Sequence, residues 1–424
     1  MRVLIVNTSE RTGGAAIAAS RLAKALINNG VQAKMLVVEK NTDHLYVATV
    51  GGWFRKTWSF VYERFVIWLN NLFSRKNLFA VSIANTGIDI TKTPEFKEAD
   101  VIHLHWINQG MLSLRGIRRI LDSGKPVVWT MHDLWPATAI CHYPERCERF
   151  KSHCRECGML HKGGCLGDLA ARVWKRKKDM LASRSISFVA CSRWLCSEAR
   201  QSALLKEQRI VSIPNPIDTR IFHPVDKVEA RKQLQLPEDK QIILFVSQKV
   251  TDPRKGMDYL IESLNRLLAD DPSLRERAVV AILGGQAEEI AERLPMEAYP
   301  LGYVSETKRI VAIYSAVDLF VTPSLSDNLP NTIMEAMACG VPCVGFKVGG
   351  IPEMIDHLKN GYVANYCDAA DFANGIRWVL AGADWNELSA ACLRKVHTCY
   401  SLTSVSLRYT ELYSQALASK NYKI

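Results

Sequence analysis

A chain of 424 residues is too long for one ordinary domain and predicts two or three. Hydrophobic residues make up 48%, as in globular proteins, and no run of 18 apolar residues predicts a membrane-spanning helix. The net charge of +11 is uneven: residues 1–210 hold 32 Lys/Arg against 17 Asp/Glu, and residues 211–424 hold 22 against 26. The basic first half predicts an anionic partner, and without any nucleic-acid-binding motif we expect no nucleic acid.

The start of the chain is typical of a buried strand. Its apolar run turns polar at Asn7, too early for a signal peptide. We therefore expect a cytoplasmic protein whose twelve cysteines are mostly reduced thiols.

Strand and helix patterns alternate along both halves and predict the α/β class, with two Rossmann-like, doubly wound parallel sheets. The predicted strands are 3–7, 32–38, 101–105, 127–132, 187–191, 242–247, 278–283, 319–322 and 342–346. The predicted helices are 15–28, 112–123, 195–202, 258–270, 308–315 and 402–418. Three prolines mark a linker. The expected domains are 1–210, a linker at 211–224, 225–400, and a C-terminal helix in 401–424 that crosses back to the first domain.

Two glycines, Gly13 and Gly14, separate the first strand from a helix of small residues. Glycine lets the backbone approach a ligand closely, and a helix start can bind phosphate. The dinucleotide-binding spacing Gly-x-Gly-x-x-Gly is absent, which argues against a nicotinamide oxidoreductase. An ordinary strand-to-helix turn is an equal interpretation of this loop.

Residues 53–76 combine aromatic and basic side chains at helical spacing. The apolar members are Trp53, Phe54, Trp58, Val61, Phe65, Trp68, Leu69, Leu72 and Phe73, and the basic ones are Arg55, Lys56, Arg64, Arg75 and Lys76. This composition is typical of an amphipathic helix in a membrane interface. The alternative is a helix packed on its own domain with a solvated basic face.

Five cysteines fall within residues 141–165, and four of them predict a structural zinc site: Cys141, Cys147, Cys154 and Cys157. Four thiolates can close a tetrahedral zinc site and staple a polar loop. The five residues between the first pair exceed the usual spacing of two to four. Reduced thiols or a disulfide are the alternatives.

Histidines mark the ends of two predicted strands. His103 and His105 share one face of their strand, because their spacing is two. His132 stands at a strand's carboxyl end, where α/β sheets bind ligands.

A loop rich in cations follows the strand at 242–247 and contains Lys249, Arg254 and Lys255 before Gly256. Cations at a strand's carboxyl end can neutralise phosphate. The alternative interpretation is that these cations are ordinary surface charges. This alternative carries more weight for Lys249 than for Lys255.

The stretch with the most functional signals is 318–342. Here an apolar strand ends at Pro323-Ser324, and a helix begins near Pro330. Asp327 precedes this helix, and Glu335 lies inside it. The helix start offers free N–H groups to a diphosphate, while the carboxylates can accept hydrogen bonds from sugar hydroxyls. The pattern predicts binding of a nucleotide-activated sugar.

This stretch also resembles the signature of the retaining glycosyltransferases of family four, which have the GT-B fold with an interdomain cleft. The shared pattern is Pro-Ser, an acid, seven residues, Glu, and then Ala-Met-Ala-x-Gly-x-Pro. One departure is Asp327, where the family more often has Glu. The run Asp-Asn-Leu-Pro-Asn and the Cys-rich insertion resemble a branch that assembles surface polysaccharides.

The resemblance implies roles for individual residues. Gly13 and Gly14 would lie near the donor phosphates, and His132 would contact the donor sugar. Lys255, with Lys249 or its rival Arg254, would stabilise the departing diphosphate, and Glu335 would bind the ribose. The residues expected to hold sugar hydroxyls and phosphate are Asp327, Asn328, Leu329, Pro330 and Asn331. Catalysis would need no cofactor.

The implied activity transfers a sugar from a nucleoside-diphosphate sugar to a saccharide or lipid-linked saccharide, with retention, in bacterial-type surface polysaccharide biosynthesis. Such an acceptor predicts peripheral association with the inner face of the membrane. The rival functions are a GT-B sugar-nucleotide epimerase and a non-catalytic sugar-nucleotide-binding protein.

Overall fold

The computed structural model describes residues 1–421. The chain forms two compact units, one made of Met1–Pro216 with the residues from Val405 onward, the other of Ile217–Ser404. Each unit contains one fully parallel sheet connected by helices, so the predicted α/β class with two doubly wound sheets is confirmed. No helix among residues 1–421 is long and apolar enough to cross a membrane.

The sheet of the first unit has the strand order β3-β2-β1-β4-β5-β6-β7. Its strands are β1 (Arg2–Val6), β2 (Gln32–Val37), β3 (Val47–Thr49), β4 (Val101–Leu104), β5 (Val127–Met131), β6 (Ser187–Ala190) and β7 (Arg209–Ser212). The helices between them are α1 (Gly14–Asn28), α2 (Trp53–Asn70), α3 (Pro94–Glu98), α4 (Leu114–Asp122), α5 (Leu169–Leu181) and α6 (Arg193–Arg200).

Strand β1 shows why this sheet is buried on both faces. Leu4 and Val6 pack into one apolar core, whereas Val3 and Ile5 pack into a second core on the opposite face. Alternate side chains of a strand point to opposite faces, so a strand that is apolar throughout needs cover on both sides.

The sheet of the second unit has the strand order β10-β9-β8-β11-β12-β13. Its strands are β8 (Gln241–Lys249), β9 (Ala278–Gly285), β10 (Ala298–Gly302), β11 (Leu319–Thr322), β12 (Cys343–Phe346) and β13 (Gly361–Ala364). Its helices are α7 (Lys227–Leu234), α8 (Met257–Asp270), α9 (Leu274–Arg277), α10 (Ala287–Ala291), α11 (Thr307–Ala316), α12 (Asn331–Ala338), α13 (Ile351–Met354), α14 (Ala369–Arg377) and α15 (Trp385–Cys399).

The final helix, α16 (Leu402–Asn421), packs on the sheet of the first unit. The hydroxyl of Tyr409 lies 2.9 Å from Oγ1 of Thr130, and the hydroxyl of Tyr413 lies 2.7 Å from Nδ1 of His103. The described helix is longer than the predicted 402–418, and residues 422–424 lie outside the described part of the chain.

Helix α2 is fixed to the first unit by a buried charged pair. Glu63 accepts hydrogen bonds from the backbone N–H groups of Ile83 and Ala84, at 2.8 and 2.9 Å. Arg64 lies 2.9 Å from the second oxygen of Glu63 and donates to the carbonyl of Val81. Both side chains are almost fully buried, so they fix which face of α2 meets the domain.

Several elements differ from the sequence prediction. Strands β3, β7, β10 and β13 were missed, and β7 overlaps the start of the predicted linker at 211–224. Helix α4 begins at Leu114 rather than 112, because Ser113 caps it by accepting a hydrogen bond from the N–H of Gly116. Short strands such as β3 carry too few residues for an alternating pattern to stand out.

We expect Glu63→Ala to lower the free energy of unfolding by about 3–5 kcal/mol, because it leaves Arg64 buried without its counter-charge. Glu262→Ala is the control, since Glu262 pairs with Arg266 on the exposed face of α8; its loss should stay below about 1 kcal/mol. Urea unfolding followed by circular dichroism measures both. Equal losses in the two variants would contradict the role assigned to the buried pair.

Candidate functional site

The predicted residues of the second unit gather at the carboxyl ends of neighbouring strands. Strand β8 lies between β9 and β11, and β11 pairs with β12. The carboxyl ends of parallel strands share one edge of the sheet, so the segments that follow β8, β11 and β12 lie side by side. These segments hold Lys255, Asp327 and Gly349.

One ion pair joins the first two of these loops. Nζ of Lys255 lies 2.7 Å from Oδ2 of Asp327, although 72 positions separate them in sequence. Their side chains are 30% and 17% exposed, so both groups are partly shielded yet open to solvent. A cation and an acid that were predicted separately therefore meet in one place.

Two glycines allow these loops to touch. A Cβ on Gly256 would lie 1.9 Å from the carbonyl oxygen of Pro323, and one on Gly349 would lie 1.7 Å from that of Asp327. Both glycines have positive φ, +71° and +56°, which side chains disfavour. The N–H of Gly350 also donates to the carbonyl of Asn328 at 2.7 Å. Backbone contacts thus hold the Asp327 loop on two sides.

Helix α12 begins at this loop. Pro330 occupies its N-cap and supplies no side-chain hydrogen bond to the first turn, which leaves the capping position to backbone groups or a ligand. Among the other predicted residues, Asn328, Leu329 and Pro330 are buried, whereas Asn331 is half-buried.

Glu335, one turn into α12, is half-buried and receives a hydrogen bond at 3.3 Å from the hydroxyl of Tyr314. Tyr314 lies on α11 and is fully buried, and burial raises the pKa of its hydroxyl well above the usual value. The hydroxyl therefore stays protonated and serves as a fixed donor that orients the carboxylate. Sequence reasoning missed Tyr314, because a tyrosine within an apolar helix pattern looks like a core residue.

The two rival cations have different surroundings. Lys249 is exposed at the end of β8, next to Gly285 of β9. Arg254 forms an ion pair with Asp252 at 2.7 Å and has a side chain that is 60% exposed. Its Nε and Nη2 both contact Asp252, so the guanidinium is already oriented by its own loop.

In the first unit, His132 belongs to a buried histidine cluster. Its Nε2 lies 3.0 Å from Nδ1 of His105, and its Nδ1 lies 3.5 Å from Sγ of Cys191. Burial lowers the pKa of His132 to about 4 and that of His103 to about 3. These imidazoles are therefore neutral at pH 7, so His132 suits a hydroxyl better than it suits a phosphate.

Asp133 anchors the segment after β5. Nδ1 of His142 lies 2.7 Å from Oδ2 of Asp133, and Oδ1 accepts from the N–H of Trp135 at 2.8 Å. Burial alone would raise the pKa of Asp133, but His142 and the Trp135 N–H outweigh it and hold that pKa below its usual value. The carboxylate is thus ionised and ties His142 to the strand end beside His132.

The Gly13-Gly14 turn starts α1. Gly13 is the N-cap, with φ 90° and no side-chain hydrogen bond to the helix, and a Cβ there would meet no atom within 4 Å. The glycine is therefore required for its backbone angle rather than for space inside the unit.

We expect Gly256→Ala to destabilise the second unit and to weaken ligand binding, because its Cβ would strike the Pro323 carbonyl as well as strain the backbone. Gly124→Ala is a matched control, with φ +74° and no atom within 4 Å of its Cβ. The control should lose about 1–2 kcal/mol from strain, and Gly256→Ala about 1–3 kcal/mol more. Urea unfolding measures this difference, and equal losses would show that the loops do not need their close contact.

Comparison with known sequences divides the chain as the structure does. Residues 12–221 match the Glycosyltransferase Family 4 domain, and residues 226–393 match the Glycosyl transferases group 1 domain. A D-inositol 3-phosphate glycosyltransferase of Geodermatophilus obscurus is 34% identical over 185 residues, 41% of each chain. Its counterpart in Streptosporangium roseum is 29% identical over 225 residues, 50% of this chain and 51% of that protein. The chain thus matches about half the length of these relatives.

Solved structures match over nearly the whole chain. Sucrose-phosphate synthase of Thermosynechococcus elongatus is 19% identical, with a TM-score of 0.65 and 99% of both chains covered. Anabaena Alr3699/HepE in complex with UDP-glucose is 16% identical, with a TM-score of 0.63, covering 98% of this chain and 100% of that one. These similarities confirm the predicted GT-B fold. The two domain matches, which together span most of the chain, show that it belongs to the group 1 family of glycosyltransferases.

Proposed function

We propose that the protein transfers a sugar from a nucleoside-diphosphate sugar to an acceptor hydroxyl. The observation that carries this proposal is the meeting of Lys255 and Asp327 beside the start of α12, one turn ahead of Glu335. A cation, an open helix start and two carboxylates supply complementary contacts for diphosphate, sugar and ribose.

In this proposal Lys255 exchanges partners when the donor binds. Its ammonium contacts Asp327 in the structure at 2.7 Å, and a diphosphate with two or more negative charges competes for the same cation. Asp327 then accepts hydrogen bonds from sugar hydroxyls, as predicted from the sequence. Tyr314 holds Glu335 ready for the ribose hydroxyls.

The reaction breaks the bond between the anomeric carbon and the diphosphate oxygen, and it forms a bond from that carbon to the acceptor oxygen. The acceptor proton passes to the departing diphosphate, whose negative charge grows in the transition state. Lys255 and the N–H groups at the start of α12 stabilise that charge. Retention of configuration remains part of the proposal, and so do the predicted roles of Lys249, Arg254, His132 and the Gly13-Gly14 turn.

A uridine nucleotide is the first donor to test, because Anabaena Alr3699/HepE, a structural neighbour, is described in complex with UDP and with UDP-glucose. At a fixed concentration, a donor that binds the folded protein more tightly raises its melting temperature more, so a thermal screen of nucleotide sugars identifies base and sugar together. Incubation of the best donor alone then separates transfer from epimerisation, since an epimerase changes the sugar without an acceptor.

We expect Lys255→Ala to lower kcat by about 100-fold or more, because it removes the charge that stabilises the leaving group. Lys240→Ala is the matched control. Lys240 pairs with Glu297 at 2.6 Å in the same unit, but it lies just before the start of β8, away from the carboxyl ends of the strands. Turnover of nucleotide sugar to free nucleoside diphosphate, measured with and without acceptor, compares the two variants. Near-normal turnover by a folded Lys255→Ala protein would refute the proposed site.

For the acceptor, we propose a lipid-linked saccharide reached at an anionic membrane surface by helix α2. Its exposed apolar residues recur on one helical face, with Phe54 79%, Trp58 61% and Phe65 50% exposed. Glu63 and Arg64 hold the opposite side of α2 against the first unit, so the fold itself leaves the apolar face exposed to solvent. The side chains of Trp53, Arg55 and Lys56 lie outside the described part of the chain.

Basic residues lie near the C-terminal end of α2, which favours anionic lipid over a second protein. Arg75 and Lys76 are exposed just beyond α2. Arg172 on α5 donates to Oδ1 of Asn70 at 2.6 Å, which places the exposed Lys175 and Arg176 on the helix that adjoins the end of α2. An amphipathic helix with basic residues nearby binds anionic bilayers through apolar burial and charge together.

The curated relatives support a second acceptor, an inositol phosphate, because both are described as D-inositol 3-phosphate glycosyltransferases. A phosphorylated, water-soluble acceptor would need no membrane. Transfer assays with D-inositol 3-phosphate and with a lipid-linked saccharide, using the donor found by thermal screening, decide between them.

We expect the protein to float with vesicles that contain anionic lipid and less with neutral ones, owing to the apolar face and the basic residues near it. Trp58→Ser with Phe65→Ser should reduce the bound fraction several-fold by removing buried apolar area. The control is Leu407→Ser with Val228→Ser, which changes residues 59% and 49% exposed outside α2. Flotation measures all three proteins, and equal binding by the two double variants would exclude α2 as the membrane contact.

A further inference from the structure

The Cys-rich insertion of the first unit folds around a small cavity. Its lining includes the four cysteines predicted to bind zinc: Cys141, Cys147, Cys154 and Cys157. The cavity measures about 20 Å³, enough for a single water molecule or ion. Cys165, the fifth cysteine of the insertion, is exposed and does not line this cavity. The fold therefore selects four of five thiols that are close in sequence.

All four cysteines line the same small cavity, which places them in one region of the insertion. All four cysteines are free. As they stand, no three Cys, His, Asp or Glu side chains among residues 1–421 are spaced to hold an ion, so a metal would require the thiols to turn further inward.

A buried cation stands beside the cluster. Lys177 is 1% exposed, and its ammonium donates to the carbonyls of Trp135 and Thr138 at 2.6 and 3.0 Å. It lies 3.4 Å from the centre of the Trp135 ring, and none of the ion pairs in the described part of the chain includes it. The acidic groups that act on it are Cys141, Cys154 and Asp133.

Burial lowers the pKa of Lys177 to about 7, so without a nearby anion its side chain is only partly protonated at pH 7. A zinc dication bound by four thiolates forms a complex with a net charge of about −2. Such a complex would keep Lys177 protonated, whereas neutral thiols or disulfides would leave it partly neutral.

We propose that Cys141, Cys147, Cys154 and Cys157 bind one structural zinc ion, with Lys177 as the buried counter-cation of the cluster. Between Cys141 and Asp168 the described backbone has only short 3₁₀ turns, at Arg149–Lys151 and His161–Gly163. A metal that crosslinks such a segment contributes directly to its folding.

The site would also order the strand end next to His132. Cys141 is followed by His142, whose ring lies 2.7 Å from Asp133. Fixing Cys141 on a metal therefore limits the movement of His142 and, through it, of the segment after β5. The metal has a structural role here and takes no part in the sugar transfer proposed above.

The first test is the metal content of the full-length protein purified without chelator. We expect close to one zinc ion per chain by elemental analysis, and replacement with Co²⁺ should give the charge-transfer absorption of thiolate ligands. Protein that contains less than about 0.2 zinc ions per chain, and takes up neither Zn²⁺ nor Co²⁺ when reduced, would overturn the proposal. Cysteines that resist alkylation until a reductant is added would instead show disulfides, which also overturns it.

Paired variants separate ligation from packing. Cys154→Ser should lose most of the zinc, whereas Cys165→Ser should retain it, because Cys165 does not line the cavity. Cys157→His should keep a zinc ion with a weaker cobalt–thiolate band, since imidazole can replace one thiolate in such sites. Equal zinc content in the Cys154→Ser and Cys165→Ser proteins would refute the assignment of ligands.

Discussion

The candidate site of the second unit depends on how closely its loops approach one another. The Pro323 carbonyl occupies the space where a side chain on Gly256 would begin, and the Asp327 carbonyl does the same at Gly349. Because backbone lies against backbone at both points, the two loops that carry Lys255 and Asp327 have little freedom to shift. In the proposed reaction only the Lys255 ammonium changes partner when the donor binds, so it already contacts the diphosphate when negative charge develops in the transition state.

The first unit uses its polar groups differently. His103 and His105 are buried and His132 is half-buried toward the carboxyl side of the sheet, and the lowered pKa values of His103 and His132 keep these two neutral. His103 is held by Thr130 and Tyr413, so a helix from the end of the chain completes the cluster. Neutral imidazoles suit hydroxyl groups, and the ammonium of Lys255 suits phosphate. The two units therefore offer different chemistry.

In the second unit the sequence predicted strands β8, β9, β11 and β12 and helices α8, α11 and α12, because their signals are local. An apolar strand, Pro323, the acids and a helix ending at Gly340 all lie within one short stretch. It could not predict contacts between distant segments, such as Tyr314 with Glu335 or Gly349 with the Asp327 carbonyl, because nothing in a single sequence pairs them. Helix α2 was predicted from its period, but only the buried Glu63–Arg64 pair shows which face is solvent-exposed. The predicted linker at 211–224 takes in the last two residues of β7, because a short strand followed by prolines resembles a loop.

The thiol cluster, the strand end at His132 and helix α2 form one connected region of the first unit. Asn71, just past α2, accepts a hydrogen bond from the N–H of His161 in the insertion, and Asn77 donates to the carbonyl of Met159. At its other end the insertion reaches Asp133 through His142. The backbone hydrogen bonds within this segment form mostly turns and short 3₁₀ helices, so a crosslink would add rigidity that regular secondary structure does not provide. A metal at the thiols would therefore support the exposed helix and the histidine cluster together. The proposed zinc would thus connect helix α2, to which we assign the membrane contact, with the strand end at His132, to which we assign the donor sugar.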